Sequence, residues 1–212
     1  MRSLCMNFSF SPIFELMSQE YVFLLQNIFA MRIYIKNMVC LRCQMAVKDE
    51  LEKLGLRHSR VELGEVEIME DLSAELRDKL SSSLKNIGLE LIEDKTNILA
   101  EKVNTAIIEL VHYTDRQIKM NISDYLSEKL NQNYKQLARL FSEVKGITIE
   151  RFYFAQKMER VKELLVYDDL NLTEIAFKLN YNSVAHLSNQ FKKLTGLTPS
   201  QFKNLRLNKS IA

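Results

Sequence analysis

A chain of 212 residues with 47% hydrophobic and 26% charged residues has the composition of a folded globular protein with room for one or two domains. Two prolines and five glycines argue against an all-β fold or a long disordered tail, and three cysteines, two of them in a CxxC, do not make a disulfide framework and suit a reducing, cytoplasmic compartment. The net charge of +2 hides an asymmetry: Tyr113 to Ala212 carries 16 Lys and Arg against 10 Asp and Glu, whereas Met31 to His112 carries 12 against 15, so a polyanionic partner is expected at the C-terminal half.

Residues 1–30 are apolar without a period. Glu15, Glu20 and Gln26 interrupt the run, which is far short of a membrane span and lacks the layout of a signal peptide. They are read as an N-terminal extension from a misplaced start codon, with Met31 as the true start; a short helix packed on the body is the alternative. Cys5 is read as a free thiol, and no membrane partner is expected.

Residues 31–94 predict a β-α-β-β-α-β order. MRIYIK alternates, with Ile33 and Ile35 on one face. Residues 43–54 read as a helix with Val47, Leu51 and Leu54 inside, ended by Gly55. SRVELGEVEIM reads as a hairpin turning at Gly64-Glu65. Residues 71–87 read as a second helix with Leu72, Leu76, Leu80, Leu84 and Ile87 inside, ended by Gly88, before a fourth strand, LELIED. The order is that of a ferredoxin-like α+β fold.

The loop after the first strand reads Asn37-Met38-Val39-Cys40-Leu41-Arg42-Cys43. Two thiolates at a helix start are lowered in pKa by the helix dipole and suit soft metals. In these residues the chain resembles the heavy-metal-associated domain, whose loop is Gly-Met-x-Cys-x-x-Cys. The resemblance implies Cys40 and Cys43 as ligands of a soft ion such as Cu(I), with Met38 packed beneath. Asn37 replaces the family's glycine, Val39 its usual polar residue, and Arg42 stands between the ligands. A fold kept for protein contact with two ordinary cysteines, and a thiol-redox switch, are the other readings. His58 is read as a surface residue on the hairpin.

Residues 95–113 predict a helix with Leu99, Val103, Ile107 and Leu110 at helical spacing. It is either an interdomain linker packed on the first domain or a helix that forms a homodimer. His112 is read as a cation of its last turn.

Residues 114–212 are expected to form one C-terminal domain, and residues 120–206 within it contain an internal repeat. LARLFSEVKGIT (137–148) lies over LSNQFKKLTGLT (187–198) at an offset of fifty, matching Leu137 to Leu187, Phe141 to Phe191, Gly146 to Gly196 and Thr148 to Thr198. Each copy reads as a helix-turn-helix. Ile122, Leu126 and Leu130 line the first helix of the first unit, and Phe154, Met158, Val161 and Leu165 mark a long helix between the units. In the second unit Asn171 and Glu174 form a capping box, and the inner face is Ile175, Ala176 and Leu179. The turn falls at Asn180-Tyr181, and Asn182 or Ser183 caps a helix burying Leu187, Phe191 and Leu194. Gly196 ends it, and Thr198 caps a third helix with Pro199 in its first turn.

Here the chain resembles the AraC-type DNA-binding module, on Ile175-Ala176, Leu187, Phe191-Lys192-Lys193, Gly196, Thr198-Pro199 and Phe202. Asn180 stands where that family usually has glycine, and Lys157 where arginine is frequent. The outward stripe of the second unit is His186, Asn189, Gln190 and Lys193, and that of the first is Lys135, Ala138, Arg139 and Ser142. Arg139 suits a bidentate guanine contact and Lys135 a base edge or phosphate. The resemblance and the stripe both select Asn189 and Gln190, which suit adenine. His186 and Val184 are further candidates, Val184 for a thymine methyl or for the core. Ser183, Lys192 and Lys193 suit the DNA backbone. Two such helices on one linker enter major-groove segments about 34 Å apart.

The expected function is a sequence-specific transcription regulator with double-stranded DNA as partner, RNA polymerase or another transcription component as a second, and control by metal or thiol state at the CxxC. The rival is a metal carrier or thiol-redox protein with a secondary DNA-binding module. No Gly-rich phosphate loop, nucleophile elbow or His-rich triad points to an enzyme.

Overall fold

The computed structural model describes residues 31–114, 120–167 and 170–209, with the side chains of 206–209 excepted. The readings made for residues 1–30 and Cys5 lie outside the described residues. The chain divides into two compact units, with the boundary between Glu93 and Asp94.

In the first unit β1 (Met31–Lys36) pairs antiparallel with β3 (Glu65–Ile68) on one side and β4 (Glu90–Ile92) on the other, and β2 (His58–Glu62) pairs with β3, giving the order β2-β3-β1-β4. Alternation in β1 buries Ile33 and Ile35, while Arg32 on the opposite side meets Glu67 at 3.0 Å. Helices α1 (Leu41–Lys53) and α2 (Ala74–Asn86) complete the core with Val47, Leu51, Leu80 and Leu84.

Three local expectations shift. The hairpin turns at Leu63-Gly64, one residue earlier than expected, because Glu62 pairs with Glu65 and Gly64 takes the positive φ of 76°. Helix α2 starts at Ala74 because the Ser73 hydroxyl accepts the Leu76 N–H at 3.3 Å. Ile87 is 40% exposed, not inside: as the C-cap, with φ −102° and ψ 12°, it has left the helical stripe.

The second unit begins with α3 (Lys95–Ile108), capped by Asp94, whose carboxylate accepts the Asn97 N–H at 2.9 Å, and continued by a π-helical turn, Glu109–Tyr113. Residues 95–113, expected as a linker or dimer helix, fall in this unit and contribute to its core. Val103 and Ile107 are fully buried together with Leu126, Leu137, Phe141 and Ile149, and Leu99 packs against them. The apolar stripe is therefore covered within its own unit.

That first core is closed by α4 (Ile122–Leu130), α5 (Tyr134–Lys145) and the start of α6 (Ile149–Tyr167). Further along, α6 contributes Met158, Val161, Leu164 and Leu165 to a second core with α7 (Leu172–Lys178) and α8 (Val184–Thr195), joined by Phe202 of α9 (Pro199–Lys209). Phe141 and Phe191 sit at equivalent places, fully buried, each stabilising by roughly 2–3 kcal/mol on apolar burial. Leu194, expected inside, is 50% exposed: the ring of Phe202 meets Phe191 at 5.4 Å, and the core does not extend to the last turn of α8.

Candidate nucleic-acid interface

The repeat is realised in local geometry. Helices α5 and α8 each span 12 residues, fifty apart. Asn133 caps the first by accepting the Lys135 N–H at 2.9 Å, and Ser183 caps the second by accepting the His186 N–H at 3.1 Å. Gly146 (φ 70°) and Gly196 (φ 77°) end them in the left-handed conformation, while Asn131 (φ 50°) and Asn180 (φ 53°) take the same conformation in the two turns. The hydroxyls of Thr148 and Thr198 then accept from Arg151 and Gln201 to start the next helices. In the second unit the full capping box at Asn171 and Glu174 is present.

Each unit thus presents one long helix with a free polar side. Lys135, Arg139, His186, Asn189, Lys192 and Lys193 are exposed, and Gln190 is half-buried. Among the described residues Lys135, Lys192 and Lys193 have no ion-pair partner, so their charge is open to phosphates. Arg139 lies 3.7 Å from Glu143 one turn on, with both side chains mostly in water, a pair too weak to hold the guanidinium against a base. Ser183 is committed as a cap acceptor, which leaves its O–H to donate. Val184 packs on the second core with a half-buried side chain, in line with the core alternative.

His186 and Gln190 are brought together. Their Nε2 atoms lie 2.9 Å apart, within hydrogen-bond reach across one turn of α8. The His186 ring also stands edge-on to Tyr181, centroids 5.6 Å apart. The fifty-residue offset places Gln136, exposed, where His186 stands in the second unit. Sequence reasoning passed over Gln136, although that offset applied to His186 identifies it.

In the N-terminal compact unit, which ends at Glu93, the Cys40 and Cys43 sulfurs are 3.4 Å apart and both are half-buried. The Cys43 backbone amide, foremost, holds the Cys40 thiol below its ordinary range; partial burial opposes this, and the Cys43 side chain and Arg42 add to the lowering. Met38 is buried, and Asn37 takes φ 69°, where a glycine is the usual solution. Among the described residues no cluster of three or more His, Cys, Asp or Glu could hold a metal ion.

A family model described as a helix-turn-helix domain matches residues 126–205. The chain is 26% identical over 148 residues to the uncharacterized HTH-type transcriptional regulator YtdP of Bacillus subtilis (strain 168), covering 67% of this chain and 19% of that protein. It is 25% identical over 134 residues to the xylose operon regulatory protein of Escherichia coli (strain K12), covering 61% of this chain and 34% of that protein. The chain therefore spans about a fifth and a third of the length of these two relatives. Among solved structures it is similar to the C-terminal domain of AraT, a response regulator from Geobacillus stearothermophilus, with 25% identity, 53% of this chain and 89% of that chain covered, and a TM-score of 0.46. Among the described residues no helix is long and apolar enough to cross a membrane.

Proposed function

We propose that this chain is a sequence-specific, DNA-binding transcription regulator of the AraC type, acting in the cytoplasm on double-stranded DNA. The observation that carries the proposal is the duplication: two helix-turn-helix units with matching left-handed turns and helix ends, both packed on one continuous helix, each leaving a polar helix face uncovered. A 19-residue connecting helix is roughly 28 Å long, a spacing suited to successive major-groove segments on one side of a duplex. Arg139, Asn189 and Gln190 read bases, with His186 fixing the Gln190 amide; Lys135, Ser183, Lys192 and Lys193 hold the backbone. RNA polymerase or another transcription component is the second partner.

The first unit we take to be ferredoxin-like and related to the heavy-metal-associated domain, on its βαββαβ order and the strand order β2-β3-β1-β4. In this reading Cys40 and Cys43 govern DNA binding through a soft ion such as Cu(I) or through their own oxidation. The proximity of the two sulfurs supports thiol chemistry of either kind. It also sustains a second reading, a metal carrier or thiol-redox protein in which DNA binding is secondary.

Selection of genomic DNA fragments by the intact chain, with and without Cu(I) and with and without a thiol oxidant, tests both. A common motif recovered in every condition, with occupancy changed by copper or oxidant, is the expected result. Fragments without a common motif would remove the regulator reading, and a motif indifferent to both treatments would remove the thiol control.

A further inference from the structure

A cleft in the second unit is walled by the π-helical turn after α3, by α6 and by the turn that follows α7. Its polar lining is His112, Thr114, Lys157, Arg160, Lys178 and Asn180, with no acidic residue among the lining side chains. We propose that this cleft binds a small oxyanion: a carboxylate, sulfate or phosphate group carried by a free molecule.

Three observations support the site. The Arg160 Nε atom is buried and has no hydrogen-bond partner, although Nη1 of the same guanidinium is held by Glu163 at 2.9 Å. A buried donor without an acceptor costs about 1–3 kcal/mol, and Arg160 is one of the residues lining the cleft. Lys157 is half-buried between aromatic rings, its Nζ 4.0 Å from the Tyr181 centroid and 5.5 Å from that of Tyr153, with no carboxylate beside it among the described residues. The nearby acid, Glu163, is already shared between Arg160 and, at 3.4 Å, His112. Excess positive charge therefore faces a partly enclosed space, where an anion is attracted more strongly than on an open surface.

Size defines the ligand. The volume of about 30 Å³ holds roughly two waters, so the cleft takes the oxyanion head of a molecule and leaves the remainder at the open mouth. The apolar stems of Leu110, Val111 and Leu179 line the rest of the wall. The proposal goes beyond DNA reading and does not depend on which sequence is read.

Sulfate is the probe, because it carries no proton of its own across the pH range used. The intact chain is titrated with sodium sulfate against sodium chloride at equal ionic strength, and binding is followed by calorimetry and by amide chemical shifts. Saturable binding is expected, weakened roughly tenfold or more in Lys157→Gln and in Arg160→Gln, and retained in Lys157→Arg. A non-saturable response, or one equal in wild type and both glutamine variants, overturns the site.

A pH series on the unmodified chain avoids any folding defect of the variants. Burial lowers the Lys157 ammonium to a pKa of about 8. The other groups around it are Tyr153 and Tyr181, whose phenols are raised by burial, together with His112, Arg160 and Lys178. Sulfate affinity should fall as pH rises from 7 to 9.5, as the ammonium loses its proton. A flat profile overturns the assignment of Lys157. Random-sequence duplex DNA added to the sulfate-bound chain separates the two sources of oxyanion: sulfate retained alongside DNA supports a free ligand, and competitive displacement overturns it in favour of the DNA backbone.

Discussion

Lys145, in the last turn of α5, donates to the buried carboxylate of Glu101 on α3 across 2.6 Å, and the Asn104 amide donates to the other oxygen of that carboxylate at 2.8 Å. This contact ties a helix expected to be a connector to the helix expected to read DNA. Glu101 is almost completely enclosed, whereas Lys145 keeps 21% of its side chain in solvent. Lys145→Met should destabilise the second unit by about 3 kcal/mol, the low end of the cost of stranding a buried charge, since the lysine itself is partly hydrated. Chemical denaturation measures it; a change below about 0.5 kcal/mol would mean that Glu101 finds water or another donor.

Base reading can be separated from backbone holding. Arg139→Ala and Asn189→Ala, one on each exposed helix face, should each cost about 1–3 kcal/mol on the selected site and little on random duplex. The two should add, because the residues lie on separate helices without shared partners. Equal losses on both kinds of DNA would reassign them to the backbone.

The helix-ending glycines give a matched pair. Gly146 and Gly196 have φ of 70° and 77°, and a Cβ at either would meet nothing within 4 Å. Alanine at each should therefore cost about 1 kcal/mol from backbone conformation alone. Asparagine should cost less, as it adopts the same conformation at Asn131 and Asn180. A much larger loss for Gly196→Ala than for Gly146→Ala would contradict the structural equivalence of the two units.

Lys157 makes stability depend on pH. Its folded pKa of about 8 lies below the unfolded value of 10.5, so the unfolded chain binds more protons between those limits. Stability should therefore rise as pH goes from 8 towards 10, by about 1–2 kcal/mol once the favourable ring contacts are allowed for. Lys157→Met should be more stable than wild type at pH 7 and should lose the rise. Melting temperatures across that window, in sulfate-free buffer, test it.

For the thiol pair, joint replacement Cys40→Ser and Cys43→Ser should abolish Cu(I) uptake by the intact chain while leaving its DNA affinity without copper unchanged. Metal analysis after gel filtration provides the check. Equal copper content in both proteins would remove the two cysteines as ligands.

Much of this molecule was legible in its sequence because the signals are local. Alternation in β1, the caps at Asn171, Ser183 and Thr198, the left-handed stops at Gly146 and Gly196, and the fifty-residue repeat each depend on a few neighbouring residues and the geometry of one turn. Those features determined two units, two helix-turn-helix motifs and the residues on their outer faces. Periodicity shows that a helix has an apolar side but not what covers it. Only the tertiary structure decided that 95–113 belongs to the second unit, that Ile87 and Leu194 lie outside the cores, and that Glu101 is buried against Lys145. It also decided that Lys157 and Arg160, neighbours on α6, line a cleft closed by His112 and Asn180 from other segments. Such contacts arise where distant segments pack, and their energy depends on the desolvation that packing imposes.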